Sequence, residues 1–167
     1  MEVRRIRPGE FEAYREVRLR ALRLAPYAFG TTLEEAASRS DDEWRAFSDR
    51  LATSTETAGF IVDRGEGVPG GLVSVRLLVE PGDVPSDAEV NQMWVDEDLR
   101  GGRWAGALLD AVEGFARAIG VRRLTLWVTE GNPRAFRVYE RHGYTPTGVI
   151  EPFPRGGIER QLGKALT

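Results

Sequence analysis

The spacing of apolar residues changes repeatedly along the chain, and each change predicts an element. "VRRIR" (3–7) alternates apolar with charged residues and stops at Pro8-Gly9, the pattern of a strand. From Phe11 the period lengthens: Phe11, Tyr14, Val17, Leu19, Ala21, Leu22 and Leu24 fit a helix with one buried side. "APYAFGTT" (25–32) breaks that pattern. Ser40 or Asp41 can then cap a second helix running to about Leu51, with Trp44, Phe47 and Leu51 on one face. "GFIVD" (59–63), "GGLVSVRLLVE" (70–80) and "AEVNQMWV" (88–95) predict three strands joined by the turns "RGEGVPG" (64–70) and "PGDVPSD" (81–87). Ala105, Leu108, Leu109, Val112, Phe115, Ala116 and Ile119 mark the clearest helix, closed by Gly120. "RRLTLWVT" (122–129) predicts a buried strand. Asn132 as cap, Pro133 at the first position and Gly143 as stop frame a short helix, and "YTPTGVI" (144–150) and "IERQLGKAL" (158–166) predict two last strands. The order β-α-α-β-β-β-α-β-α-β-β gives one α/β domain over 1–167, with a meander joined to a βαβα unit and helices on both faces of the sheet.

Composition narrows the chemistry more than the fold. At 167 residues, 41% hydrophobic and 29% charged, the chain suits a single globular domain. No apolar run approaches the ~18 residues of a membrane helix, and "MEVRRIRPGEF" has no secretory h-region, so a cytoplasmic location is expected. The absence of cysteine excludes disulfides, thiolate metal sites and a Cys nucleophile. With His142 the sole histidine, little material remains for a zinc site or a Ser-His-Asp triad, and no metal is expected. Residues 1–87 hold 12 Arg against 16 Asp and Glu, whereas residues 88–167 hold 11 Lys and Arg against 10 Asp and Glu. That balance lacks the basic face of a nucleic-acid binder. It allows a cationic substrate on the first half and an anionic cofactor on the second, or simply two solvated surfaces.

"LRGGRWAGALL" (99–109) joins a strand to the clearest helix, where backbone N–H groups and the helix dipole converge on one spot and favour a phosphate. A Walker A loop needs Gly-Lys-Ser/Thr, which the segment lacks, and Gly101, Gly102 and Gly106 fit no register of the dinucleotide fingerprint. The segment instead resembles the acyl-CoA signature of the GNAT superfamily of N-acetyltransferases, Arg/Gln-x-x-Gly-x-Gly/Ala after a strand. Arg100 takes the first place, Arg103 stands at the first Gly place and Ala105 at the Gly/Ala place. Downstream, Asn132, Ala135, Tyr139, Gly143 and Tyr144 match the superfamily's Asn-x-x-Ala-x-x-x-Tyr-x-x-x-Gly-Phe/Tyr block. The motifs cover roughly 88–145, and the element order extends the likeness over the whole chain.

The resemblance implies a mixed, mostly antiparallel sheet of about seven strands, with strands 4 and 5 splayed to admit acyl-CoA. It implies that the backbone of Arg100, Gly101, Gly102, Arg103, Trp104, Ala105 and Gly106 cradles the CoA pyrophosphate, and that pantetheine lies along Met93, Trp94 and Val95 like an added strand. The N–H of Met93, or of a neighbour displaced by a bulge, would polarise the thioester carbonyl. Asn132 would touch the pantetheine arm, serve as a plain helix cap, or both. Tyr139 would be the general acid for the departing thiolate; its alternative is a buried aromatic beside Phe136. Glu89 would be the general base, with an exposed strand-entry charge as its alternative; alternation puts Glu89, Asn91 and Met93 on one face. His142 ends a helix, where a cation complements the dipole.

The resemblance also places the acceptor site under the first two helices and their connection. There Glu34, Glu35, Asp41, Asp42 and Glu43, near Tyr27, Phe29 and Trp44, would suit a cationic amine or form a solvated helix face. The expected function is direct, acetyl-CoA-dependent acetylation of a primary amine on a small molecule or peptide, with no nucleic-acid or membrane partner. The alternative is a non-catalytic acyl-CoA-binding module of the same fold. The superfamily often forms homodimers, though no feature of this sequence demands one.

Overall fold

The computed structural model describes residues 1–79 and 86–167. Its seven strands are β1 (Glu2–Arg5), β2 (Thr57–Asp63), β3 (Gly71–Leu78), β4 (Asp87–Val95), β5 (Arg123–Thr129), β6 (Thr145–Pro152) and β7 (Ile158–Ala165). They form a single sheet in the order β1-β2-β3-β4-β5-β7-β6. Every neighbouring pair is antiparallel except β4 and β5, which helix α4 (Trp104–Ala118) links as a parallel pair. The expected mixed, mostly antiparallel sheet is what the chain forms.

Helices α1 (Phe11–Leu24) and α3 (Asp41–Thr53) cover one face; α4 and α5 (Pro133–Arg141) cover the other. Strand alternation feeds both layers. On β2, Phe60 and Val62 pack toward α4 while Ile61 packs with Phe11, Tyr14, Val17, Trp44 and Leu51 of the opposite layer.

Several boundaries shift for identifiable reasons. β1 ends at Arg5, although the Ile6 N–H still donates to Gly59 O at 2.9 Å. Leu24, expected inside, is exposed at the end of α1, while Arg18 is buried within its apolar stripe. Between α1 and α3 lies a short helix, α2 (Leu33–Ala37), that apolar spacing does not predict. Part of the expected 70–80 strand and of the 81–87 turn lies outside the described residues. Among the described residues no helix is long and apolar enough to cross a membrane.

Candidate active site

β4 is irregular in two ways, and together they open the site. Opposite β3, Ser74 pairs with Asn91 and Leu72 with Trp94, so Gln92 and Met93 share the place facing Val73. Gln92 is the bulged residue, with φ 60 in the left-handed region that non-glycine residues rarely adopt. The Tyr14 hydroxyl donates to its Oε1 at 2.7 Å and helps hold that conformation, and burial pushes the Tyr14 pKa up to about 12. The bulge corrects the expected alternation. Glu89 and Asn91 face the α1 side, but Met93 turns to the α4 side with Val95, and Trp94 packs in the α1 layer. On its other edge β4 pairs with β5 from Asp87/Arg123 to Glu89/Thr125 and then stops, although the strands continue to Val95 and Thr129. The two diverge, leaving main-chain groups of β4 without strand partners.

A slot of about 170 Å³ fills the divergence. Met93, Trp94 and Val95 form its floor; Leu99, Arg100, Gly101, Gly102 and Ala105 form one wall, and Asn132, Arg134, Ala135, Val138 and Tyr139 the other. Gly101, at φ 79, is the left-handed residue of the turn. Arg103 instead has φ −74 and ψ −11, so a side chain is tolerated there without strain. The first intrahelical bond of α4 runs from the Ala107 N–H to Arg103 O at 2.9 Å, which leaves the N–H groups of 104–106 as unpaired first-turn donors. Arg100 Nε donates to Val95 O at 2.8 Å and ties the turn to the strand end. The remaining side chains of the turn lie elsewhere. The Arg103 guanidinium stacks 4.6 Å from the Trp104 ring centroid, Trp104 packs partly into the core, and neither lines the slot. Gly106 faces the His142 ring.

α5 supplies the opposite wall from one face. Asn132 Oδ1 accepts from the Ala135 N–H at 3.2 Å, so it is a helix cap, and it also lines the slot. Ala135 and Tyr139 follow at helical spacing. Tyr139 is 7% exposed, sits edge-on to Tyr144 at 6.0 Å, and burial pushes its hydroxyl well above the usual tyrosine range.

The slot opens into a cleft of about 810 Å³, with Ala28, Met93, Asn132, Ala135 and Tyr139 lining both. Glu89 lies in this cleft, its Oε1 accepting from Arg76 across the β3–β4 pair at 3.1 Å. Two further residues here escaped the sequence reading. Glu159 on β7 has its carboxyl pKa raised by burial and by Glu151 and Glu89 nearby. Arg18 projects from the buried stripe of α1. The acidic run 34–43 does not line the cleft. Glu35 and Glu43 complete capping boxes with Thr32 and Ser40, Asp41 pairs with Arg15, Asp42 pairs with Arg45, and Glu34 is exposed. The solvated-face alternative is therefore the one realised.

Away from the cleft, His142 caps α5 with Nε2 3.1 Å from Asp110 Oδ1 and 3.4 Å from Glu113 Oε1. These three residues could offer ligand atoms to a cation, but Lys164 Nζ already occupies Glu113 Oε1 at 2.6 Å.

Comparison with known proteins agrees with this fold. The model of the Acetyltransferase (GNAT) family matches residues 18–144. A mycothiol acetyltransferase from Beutenbergia cavernae is 30% identical over 141 residues, 84% of this chain and 43% of that protein. The chain spans between a third and a half of the length of the curated relatives it matches. Among solved structures, an acetyltransferase of the GNAT family from Streptococcus pneumoniae superposes with TM-score 0.76 at 19% identity, covering 99% of this chain and 98% of that one. The structure of yncA from Salmonella typhimurium with its cofactor acetyl-CoA superposes with TM-score 0.79 at 17% identity, covering 100% and 94%.

Proposed function

Because the chain belongs to the acetyltransferase (GNAT) family, we propose that it transfers an acetyl group from acetyl-CoA directly to a primary amine of a small molecule or peptide. The observation that carries this reading is the junction of the slot with the charged cleft at Met93 and Tyr139. The slot also fits the donor: Gly101, Gly102, Ala105 and Ala135 leave room in its walls, and the unpaired edge of β4 beyond Glu89 can accept an extended amide-bearing arm as an added strand.

Acetyl-CoA supplies an acetyl group already activated as a thioester. The first-turn N–H groups of α4 and the Gly101-Gly102 turn hold its pyrophosphate by main chain and helix dipole. Asn132 has Oδ1 engaged as a cap, which leaves its amide N–H groups for the pantetheine arm. Beyond the bulge at Gln92, Met93 lines both slot and cleft, and its N–H would serve as the donor to the thioester carbonyl, where one aimed donor is worth roughly 3 kcal/mol.

On the acceptor side only the neutral amine attacks, and at pH 7 about one part in two thousand of an alkylammonium is neutral. Glu89 takes the ammonium proton: Arg76 holds Oε1, and Oε2 remains for the amine or a bridging water. Tyr139 donates its proton to the sulfur as the carbon–sulfur bond breaks, and the second proton, shed by the nitrogen of the adduct, restores the phenol. The dry surroundings that keep its phenol neutral disfavour a free thiolate just as strongly, so burial does not oppose the transfer.

A binding-only module has no use for a buried tyrosine at the junction and a carboxylate in the cleft beyond it. Calorimetry with acetyl-CoA, followed by CoA release over a panel of primary amines, tests the reading. Micromolar binding with turnover on at least one amine is expected. Binding without turnover on any amine removes the catalytic role and leaves the module.

A further inference from the structure

Within that acetyl-transfer reading, the cleft contains a charge with no partner. Arg18 is 6% exposed, at the centre of the apolar stripe of α1, one helical turn from Tyr14 and one from Leu22. Its Nη1 is buried without a hydrogen-bond partner, and among the described residues no carboxylate pairs with it. Its guanidinium lies 4.6 Å from the Phe29 ring centroid, which compensates only in part. Burial, with Arg39 adding to it, pulls its pKa down to about 10, far from where an arginine ordinarily sits. A buried guanidinium with no counter-ion is unfavourable. Because Arg18 lines the cleft and not the donor slot, the missing partner is not part of the CoA arm in that slot.

We infer that Arg18 is the specificity residue for the acceptor, receiving a carboxylate, so that the substrate is a primary amine carrying its own carboxylate. The cleft is arranged for such a zwitterion. Glu89 and Glu159 stand on the sheet wall for the ammonium, and Arg18 stands on the helical wall for the carboxylate. A guanidinium fork matches a carboxylate in plane and charge, which a cation–π contact alone does not. The basis is different from an acid-lined site for polycations, since the acidic run of the first half is spent on helix caps and surface ion pairs.

The test compares matched pairs of acceptors in acetyl-CoA-dependent CoA release: L-leucine, L-phenylalanine, 4-aminobutyrate and the dipeptide Ala-Ala, each against its carboxamide. The carboxylate member of at least one pair is expected to be favoured about 100-fold in kcat/KM, chiefly through KM. The first three pairs and the dipeptide pair separate free amino acids from peptides as the source. Arg18→Met is expected to collapse the preference to within about threefold while leaving acetyl-CoA affinity unchanged, and Arg18→Lys to retain part of it. Carboxamides that react as well as carboxylates, or a preference that survives Arg18→Met, overturn the inference and leave acetyl transfer standing.

If no amine releases CoA, the transfer reading fails and binding alone decides. The same compounds at millimolar concentration must then raise the melting temperature of the wild-type protein more as carboxylates than as carboxamides, or this inference falls as well. The same measurement decides if Arg18→Met does not fold.

Discussion

The donor slot and the acceptor cleft share five residues yet are built on different principles. The slot is built around main chain: a strand edge left unpaired, a turn with one left-handed glycine, and the start of a helix, with Gly101, Gly102, Ala105 and Ala135 leaving room among larger residues such as Leu99, Arg134, Val138 and Tyr139. The cleft is made of side chains that arrive from distant segments: Arg18 on α1, Arg76 on β3, Glu89 on β4 and Glu159 on β7. Main-chain donors tolerate a change of side chain, so the turn beside the slot can carry Arg103 at the place where the signature it resembles has glycine. Side-chain donors do not, so the proposed acceptor choice would rest on the cleft.

Tyr139 belongs to both regions, and its replacement is the strongest test of their separation. Tyr139→Phe is expected to lower kcat about 1,000-fold while leaving acetyl-CoA affinity unchanged by calorimetry. Full turnover by this variant would remove the general acid from the account. Glu89→Gln acts on the cleft alone, with a loss of about 100-fold in kcat/KM at pH 7. Its signature is the pH profile. Without a base the variant depends on amine already neutral in solution, so the deficit should shrink as pH rises toward the amine pKa near 10.4. A constant deficit from pH 7 to pH 10 would reduce Glu89 to a charge that merely holds Arg76.

On the slot side, Gly101→Ala introduces a Cβ into open space but at φ 79. The cost is conformational, about 1 kcal/mol, and depopulates the competent turn. Acetyl-CoA should bind about fivefold more weakly with the acceptor KM unchanged; an equal change in both would show that the two regions are not separable. Glu159→Gln probes the cleft through stability. A carboxyl whose pKa is raised on folding binds more protons folded than unfolded between the two values, so stability falls as pH rises through that window. Removing the charge should raise the melting temperature at pH 7 and leave it unchanged at pH 4. The gain, discounted for partial exposure, is below about 1 kcal/mol.

The two regions also differ in how far the sequence alone reveals them. The turn at 99–106 and the face Asn132, Ala135, Tyr139 are contiguous, so glycine placement before a helix points to the first and the likeness to the superfamily's motif to the second. The bulge is different: nothing around Gln92 announces a left-handed non-glycine residue, because its partner is Tyr14, 78 positions earlier. Glu159 reaches the cleft only through the register that sets it opposite Thr129 and Glu151, which alternation along β7 cannot supply. Two signals do lie in the sequence. Thr32-x-x-Glu35 and Ser40-x-x-Glu43 are successive capping boxes, a more direct account of those acids than a cation site. Arg18 stands four residues from both Tyr14 and Leu22, inside an apolar stripe where a charge calls for an explanation.

The smallest effect bears on why the slot tolerates its unusual turn. Arg103 lies at the start of α4 in ordinary helical backbone, exposed, with its guanidinium over Trp104 and outside the slot. Its main chain does what a glycine's would, so Arg103→Ala leaves the pyrophosphate donors in place. What the substitution removes is a positive charge close to a phosphate-binding turn, in water. Such a charge contributes a few tenths of a kcal/mol to about 1 kcal/mol and is screened over a Debye length of about 8 Å at physiological salt. Acetyl-CoA should therefore bind two- to fivefold more weakly to Arg103→Ala at low ionic strength, and the difference should vanish in titrations at about 0.5 M salt. A loss that persists at high salt would mean that the side chain grips the ligand directly, and the slot would then share the side-chain logic of the cleft.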